Sequence, residues 1–144
     1  MRPPLLLTLV VLLAVLVSGG ARAETYRVSP EATAETKAAV AEGRPPLHGF
    51  PEILDVHYAG SRQLRPGLVI NADVETSDNV TYVEARIRYW NVALRPAGPG
   101  RFTLTYYVPM LPPSAVGHWN LEVVARTLDG VEVRRSIPVS YDYL

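Results

Sequence analysis

Residues 117–139 read GHWNLEVVARTLDGVEVRRSIPV and carry the clearest structural pattern in the chain. Apolar residues alternate with other residues on both sides of Leu128-Asp129-Gly130, and a period of two is typical of β-strands. A three-residue connection that ends in glycine is a common hairpin turn, because glycine readily adopts the left-handed conformation required there. We therefore predict an antiparallel hairpin of two long strands.

The turn also predicts the register of this hairpin. If Thr127 pairs with Val131, apolar residues face each other along the two strands, as cross-strand pairs favour. The predicted pairs are Ala125 with Val133, Leu121 with Ile137, and Trp119 with Val139. The same register places Arg135 on the apolar side, opposite Val123. We expect a β-bulge near Arg134-Arg135 to relieve this conflict.

The same alternation recurs upstream in shorter runs. Strands are predicted over about 54–58, 68–75, 83–89 and 102–108, and a weaker one over 91–94. Proline and glycine in the segments 95–100 and 109–117 predict breaks between strands. Short strands with one apolar face each are best buried as two packed sheets, so we predict an all-β, antiparallel β-sandwich of about seven strands. Its core is predicted to contain Ile70, Ile87, Leu104, Trp119, Leu121 and Val123.

The segment 117–130 resembles the penultimate strand and final hairpin of bacterial immunoglobulin-like and fibronectin type III-like domains. Those domains commonly read Gly-x-Tyr/Trp-x-apolar-x-Val-x-Ala before a polar turn that closes on glycine. Residues 78–89 are similar to their central strand. The resemblance covers about residues 50–143 and implies an immunoglobulin-like sandwich, although Trp119 stands where a tyrosine corner usually has its tyrosine. It implies little about activity, because this fold hosts many functions.

The N-terminal region predicts export. Met1-Arg2 gives a positive start, residues 5–17 are almost entirely apolar, and Ala21-Arg22-Ala23 is a small-x-small cleavage pattern. This order is typical of a signal peptide, here residues 1–23. The apolar run is shorter than the roughly 20 residues that span a bilayer. We expect a secreted or periplasmic protein without a membrane span after cleavage; an uncleaved N-terminal anchor is the alternative.

Residues 24–50 differ in composition from the strands that follow. Ser29-Pro30-Glu31 is typical of a helix start with serine as the N-cap, and Glu42-Gly43 is typical of a helix end. We predict a short, loosely held helix over about 30–42, with a disordered tail as the alternative. The sandwich itself is assigned to residues 51–144.

Composition excludes several classes of function. The 144 residues include no cysteine, and 14 basic side chains balance 14 acidic ones. Disulfides, thiol catalysis and cysteine-ligated zinc are therefore excluded. The balanced charge lacks the basic excess that a nucleic-acid partner requires.

Few side chains predict a reactive or metal-binding site. His48, His57 and His118 are scattered, although Asp55 and His57 share a strand face and would form a partial metal site. We interpret them as solvent-facing and predict no metal and no cofactor. The sequence has no Gly-x-Ser-x-Gly and no His-Glu-x-x-His motif, so we predict no enzyme. Three carboxylates, Asp73, Glu75 and Asp78, lie near one end of a predicted sheet. We interpret them as part of a solvated turn, with a calcium-binding site as the alternative.

An outward row on the central strand is the remaining candidate for function. Glu84, Arg86, Arg88 and Trp90 fall on the parity opposite to the core, and Tyr107 does so on the strand 102–108. Tyrosine, tryptophan and arginine are typical anchors of protein contacts, so we predict Trp90, Arg88, Arg86 and Tyr107 as binding residues. The structural alternative is a solvated row with cross-strand charge pairing.

These observations predict a non-catalytic binding or scaffolding domain whose partner is an envelope or extracellular protein. A carbohydrate-binding accessory module, with polysaccharide stacked on Trp90 and Tyr107, is the first alternative. A small metal-dependent factor or hydrolase is the second.

Overall fold

The computed structural model describes residues 25–88 and 90–144. The predicted signal peptide, residues 1–23, and the predicted inward position of Tyr89 lie outside the described residues. The elements of the described chain are, in order, β1 Arg27–Val28, α1 Ala34–Ala41, β2 Ile53–Ala59, β3 Gln63–Leu64, β4 Val69–Thr76, β5 Val80–Ile87, β6 Trp90–Ala93, β7 Arg95–Gly98, β8 Arg101–Tyr107, a 3-10 turn Pro113–Ala115, β9 Gly117–Thr127 and β10 Val131–Tyr141.

The strands form two sheets that share one hydrophobic core. Sheet A has the order β1-β10-β9-β5-β6, with β3 also paired to β10, and sheet B has the order β2-β4-β8-β7. The β3–β10 pair is parallel and the other described pairs are antiparallel. Val83 and Val123 of sheet A belong to the same buried cluster as Val74 and Phe102 of sheet B. The prediction of an all-β chain in two sheets is confirmed.

The β9–β10 hairpin has the predicted register, including Trp119 opposite Val139 and Arg135 opposite Val123. The predicted bulge at Arg134-Arg135 is wrong, because the pairing runs through both residues without a shift. Arg135 instead extends past the core: its Nη2 donates to the carbonyl oxygen of Ile53 in β2, at 2.8 Å. Among the described pairs, the middle of β10 is hydrogen-bonded as a strand to β9 alone, so the Arg135 side chain has room at this edge to reach Ile53 and solvent, and no bulge is needed.

Two other strand predictions differ from the structure. The central strand ends at Ile87 rather than 89, and β6 begins at Trp90 after a two-residue connection. The segment 95–100, predicted as a break, contains strand β7. Pro96 is tolerated there because β7 is the edge of sheet B in the described chain, where one side of the strand needs no backbone donor.

The helix is shorter than predicted. It covers Ala34–Ala41, and its N-cap is Thr33, whose hydroxyl accepts from the backbone N–H of Thr36 at 3.2 Å. Ser29 does not cap the helix, because the helix begins only at Ala34; its backbone N–H instead donates to the carbonyl oxygen of Gly130 at 2.8 Å and so extends the contact of β1 with β10. The predicted end is confirmed, since Glu42 is the C-cap.

The segment 25–50 closes one end of the sandwich. The amide of Asn79, in the β4–β5 turn, donates to the carbonyl oxygens of His48 and Phe50 at 2.8 and 3.0 Å. At the β9–β10 turn, the carboxylate of Asp129 accepts from the backbone N–H of His48 and from the Thr127 hydroxyl. Burial alone would raise the pKa of Asp129, but these hydrogen bonds outweigh it and lower the pKa. The segment is therefore tied to two turns at the same end.

Candidate binding site

The β5–β6 connection determines which way Trp90 points. Trp90 pairs directly with Ile87, and directly paired residues of two strands place their side chains on the same face. The outward parity predicted for Trp90 assumed a strand that continues through residue 90, and it is wrong because the two-residue connection resets the alternation. Trp90 is half-buried, and its ring centroid lies 5.3 Å from that of Tyr106 in sheet B, at an interplanar angle of 59°.

An apolar cavity of about 210 Å³ lies between the sheets at this end of the molecule. Side chains of both sheets and of the segment 109–116 form its walls. The main contributors are Ala85, Ile87, Trp90, Leu104, Tyr106 and Trp119. Burial raises the pKa of the Tyr106 hydroxyl.

This cavity explains where the predicted core is incomplete. Ile70, Leu121 and Val123 are buried as predicted, with 4–6% of each residue exposed. Ile87, Leu104 and Trp119 are only partly buried: they pack against the buried cluster on one side and line the cavity on the other. The sandwich is thus filled at the end that residues 25–50 cover and unfilled at the other.

Two aromatic side chains hold the loop wall of the cavity in place. The indole Nε1 of Trp119 donates to the carbonyl oxygen of Ala115 at 2.6 Å. The buried Tyr141 hydroxyl accepts from the backbone N–H of Leu111 at 2.8 Å and donates to the carbonyl oxygen of Pro109 at 3.2 Å. Because these polar groups are satisfied by the loop backbone, the rings and the loop keep a fixed geometry.

Arg88 lies at the rim of the cavity. Its guanidinium carbon is 4.1 Å from the ring centroid of Trp119, within the range of a cation–π contact, and the residue is exposed. Its φ is +51°, a left-handed conformation that costs a residue with a Cβ of the order of 1 kcal/mol. Two-residue hairpin turns usually place glycine or asparagine in that conformation. The chain therefore accepts backbone strain to keep an arginine at this position.

Arg86, two residues earlier, belongs to a buried polar cluster on the outer face of sheet A. It forms an ion pair with Glu84, which also accepts hydrogen bonds from Tyr82 at 3.1 Å and Asn91 at 2.8 Å. Glu84 is only 2% exposed, so its predicted place in a solvated row is wrong. Burial by itself would raise the pKa of Glu84, but the hydrogen bonds and the charge of Arg86 outweigh it and lower the pKa.

A second set of charges continues the same face. Arg126 contacts Glu132 at 2.6 Å, and Arg134 contacts Glu122 at 2.9 Å. Long side chains from three neighbouring strands meet above Val124, which has no exposed surface although it points away from the core. Cross-strand charge pairing is therefore present on this face between β9 and β10, whereas the ion pair in the predicted row, Glu84 with Arg86, lies within β5.

The four predicted binding residues do not form one surface. Arg88 and Trp90 meet at the cavity, and Arg86 lies on the outer face of sheet A. Tyr107 is 69% exposed, as predicted. It follows Tyr106, whose ring is inside the cavity, so it points to the outer face of sheet B. Trp90 and Tyr107 thus form no shared stacking platform.

The histidines and carboxylates remain dispersed. His57 Nε2 contacts Asp55 Oδ2 at 2.8 Å on an exposed strand face, and His48 lies 3.6 Å from Asp129. Within residues 25–88 and 90–144, no three histidine, cysteine or acidic side chains form a group that could hold a metal ion. Asp73, Glu75 and Asp78, considered for calcium, occupy exposed positions of β4 and the following turn.

No protein-family model, no curated protein and no solved structure matches the chain. None of the helices in the described part of the chain is long and apolar enough to cross a membrane.

Proposed function

We propose that the chain is an exported, non-catalytic domain of immunoglobulin-like fold that binds its ligand in the cavity at the β5–β6 end. The single observation that carries this proposal is an apolar cavity of about 210 Å³, framed by Trp90, Tyr106 and Trp119. Concave, mostly apolar sites with a few polar groups at their edge are typical of small-molecule binding sites.

The strand order supports the immunoglobulin-like part of the proposal. Such domains pair strands A, B, E and D in one sheet and G, F and C in the other, with C′ added beside C in the variable type. The orders β2-β4-β8-β7 and β10-β9-β5-β6 correspond to these two sheets when the strands are lettered in chain order. The short β3, which passes from the sheet B side to pair with β10, fits the same arrangement.

The cavity lining supports binding rather than catalysis. The described residues that line it include no carboxylate and no histidine. General acid–base catalysis most often uses a histidine or a carboxylate within hydrogen-bond reach of the substrate. The proposal also includes the export and the envelope or extracellular protein partner predicted from the sequence. Tyr107, exposed on the outer face of sheet B, could contact that partner independently of the cavity.

The test of the binding site uses toluene, a neutral apolar probe. An apolar cavity of about 150 Å³ binds benzene, so a cavity of about 210 Å³ has room for toluene. Ligand-observed NMR should show saturable, one-to-one binding to the purified protein. Ala85→Ile, whose three added carbons occupy part of the cavity and leave too little room for an aromatic ring, should abolish it, whereas Ala59→Ile on the exposed end of β2 should not. Binding that persists unchanged in Ala85→Ile would exclude this cavity as the site.

A further inference from the structure

From the cavity and its rim we infer that the ligand is a single-chain amphipathic carboxylate, with its apolar chain in the cavity and its carboxylate on Arg88. This inference rests on the proposed function and specifies the ligand. Four features of the structure support it: the size of the cavity, the composition of its lining, the charge at its rim and the backbone conformation of Arg88.

The cavity size limits the apolar part of the ligand. Its volume of about 210 Å³ corresponds to about seven groups the size of a water molecule, at about 30 Å³ each. Since a methylene group is similar in size, a chain of roughly six to eight carbons, or one ring with a short tail, fills it. A lipid with two long acyl chains is too large to be enclosed.

The composition of the lining requires the polar head to stay outside. Apolar side chains form most of the walls, and the described lining contains Arg88 as its charged side chain. A carboxylate inside would lose its hydration without a partner, which is costly in an apolar site. The head group is therefore at the rim, where it still contacts water.

The charge at the rim selects an anion. Arg88 is exposed, lies over the Trp119 ring and contributes a guanidinium, whose fork of N–H donors matches the two oxygens of a carboxylate. The described cavity lining has no acidic side chain that would attract a cationic head. An amine head group would be repelled at the same position.

The backbone of Arg88 provides an independent argument. A turn residue at φ +51° is more stable as glycine or asparagine, and strained residues of this kind cluster at ligand sites. The guanidinium at this strained position contacts Trp119, and in this inference it also holds the carboxylate of the ligand. The backbone conformation also makes Arg88→Asn a suitable test, since asparagine suits the turn; the substitution removes the guanidinium together with its contact to Trp119, and the octanol arm measures the effect of losing that contact.

The experiment compares three probes with the same chain: octanoate, octanol and octylamine. Calorimetry at low salt should show octanoate binding about tenfold more tightly than octanol, as a charge-assisted hydrogen bond predicts, and octylamine more weakly than both. Raising the ionic strength from about 0.02 M to about 0.3 M should lower the affinity for octanoate and leave the affinity for octanol unchanged.

The variants assign the effect to Arg88. Arg88→Asn should reduce the affinity for octanoate about tenfold and change the affinity for octanol by no more than about twofold. The control Arg101→Gln, at an exposed arginine of β8, should change neither affinity. Equal losses for both probes in Arg88→Asn would show a structural role and overturn the inference. Octanoate that binds no more tightly than octanol would also overturn it, and would favour an uncharged occupant such as an apolar side chain of a partner protein. If toluene fails to bind as well, the proposed function itself is wrong.

Discussion

Replacing Ala85 by isoleucine should stabilise the protein, because the added atoms enter the cavity. Ala85 lies on the inner face of β5, opposite Val123 of β9 and Val92 of β6, and its side chain lines the cavity. A core without free space would be strained by this change and lose about 1–3 kcal/mol. The sign of the effect therefore distinguishes an unfilled core from a filled one.

The magnitude follows from the number of atoms added. Burial of three carbon atoms at about 0.8 kcal/mol each gives an upper bound of about 2.4 kcal/mol. Fixing the isoleucine side chain costs about 0.5–1 kcal/mol of conformational entropy. The expected gain is about 1.5 kcal/mol in the free energy of unfolding, or roughly 5–8 °C in melting temperature for a domain of this size.

Thermal and urea unfolding, followed by the fluorescence of the two tryptophans, measure this gain. Ala59→Ile is the matched control, because it adds the same atoms at an exposed strand position and shares the change in β-propensity. The stabilisation by octanoate, which follows from its binding to the folded state only, should disappear in Ala85→Ile. A loss of more than about 1 kcal/mol in Ala85→Ile relative to Ala59→Ile would contradict this prediction, since it would mean that the cavity does not accept the side chain.

Three further changes test the rest of the structure. Glu84→Gln should cost about 1–3 kcal/mol at pH 7. Because the pKa of Glu84 is lowered on folding, this contribution is complete above its unfolded value of about 4.3 and is lost as the pH falls below that value. Urea unfolding between pH 7 and pH 3 should therefore show the two proteins converging, whereas Glu122→Gln, at a more exposed ion pair, should cost less than about 1 kcal/mol throughout. Gly130→Ala should destabilise the protein more than Gly67→Ala in the same unfolding assay. The two glycines have similar φ angles, +87° and +83°, so the backbone strain is matched. Only at Gly130 would the added methyl lie 2.6 Å from another group, the Ser29 hydroxyl. Equal losses would show that the contact with this segment is unimportant. Trp119→Ala should cost about 2–4 kcal/mol in thermal unfolding, because it removes a cavity wall and a loop tether; unchanged stability would contradict the position of the ring.

The hairpin was predictable because its determinants are local. A glycine turn at 128–130 and the alternation on either side fix which residues face each other, and the observed pairs follow. The position of Trp90 depends on an equally local signal that the sequence analysis missed. Apolar residues occupy odd positions at Val83, Ala85 and Ile87 and even positions at Trp90, Val92 and Leu94. A change of parity of this kind indicates a two-residue turn, but Arg88-Tyr89 lacks the glycine or asparagine by which such turns are usually found.

The burial of Glu84 was not predictable from its own strand. Parity correctly places it on the outer face of β5, but its exposure depends on side chains that other strands bring over it. Asn91 comes from β6, and Glu84 sits beside Val124 of β9, under the charged side chains of neighbouring strands. The same limitation applies to the cavity, because its walls come from both sheets and from the segment 109–116. A single strand pattern contains no information about how well two sheets fill the space between them.

The two ends of the sandwich have different sources of stability. At the β9–β10 turn, residues 25–50 add backbone pairing, the Asn79 hydrogen bonds and the Asp129 contacts to the core. At the opposite end, an apolar cavity of about 210 Å³ leaves the side chains that line it without packing partners on one side, which is a cost to stability. A chain with no cysteine has no disulfide to offset that cost. In the proposed function, the ligand supplies the packing that the protein's own side chains leave out, so occupancy of the cavity and stability of the fold are coupled.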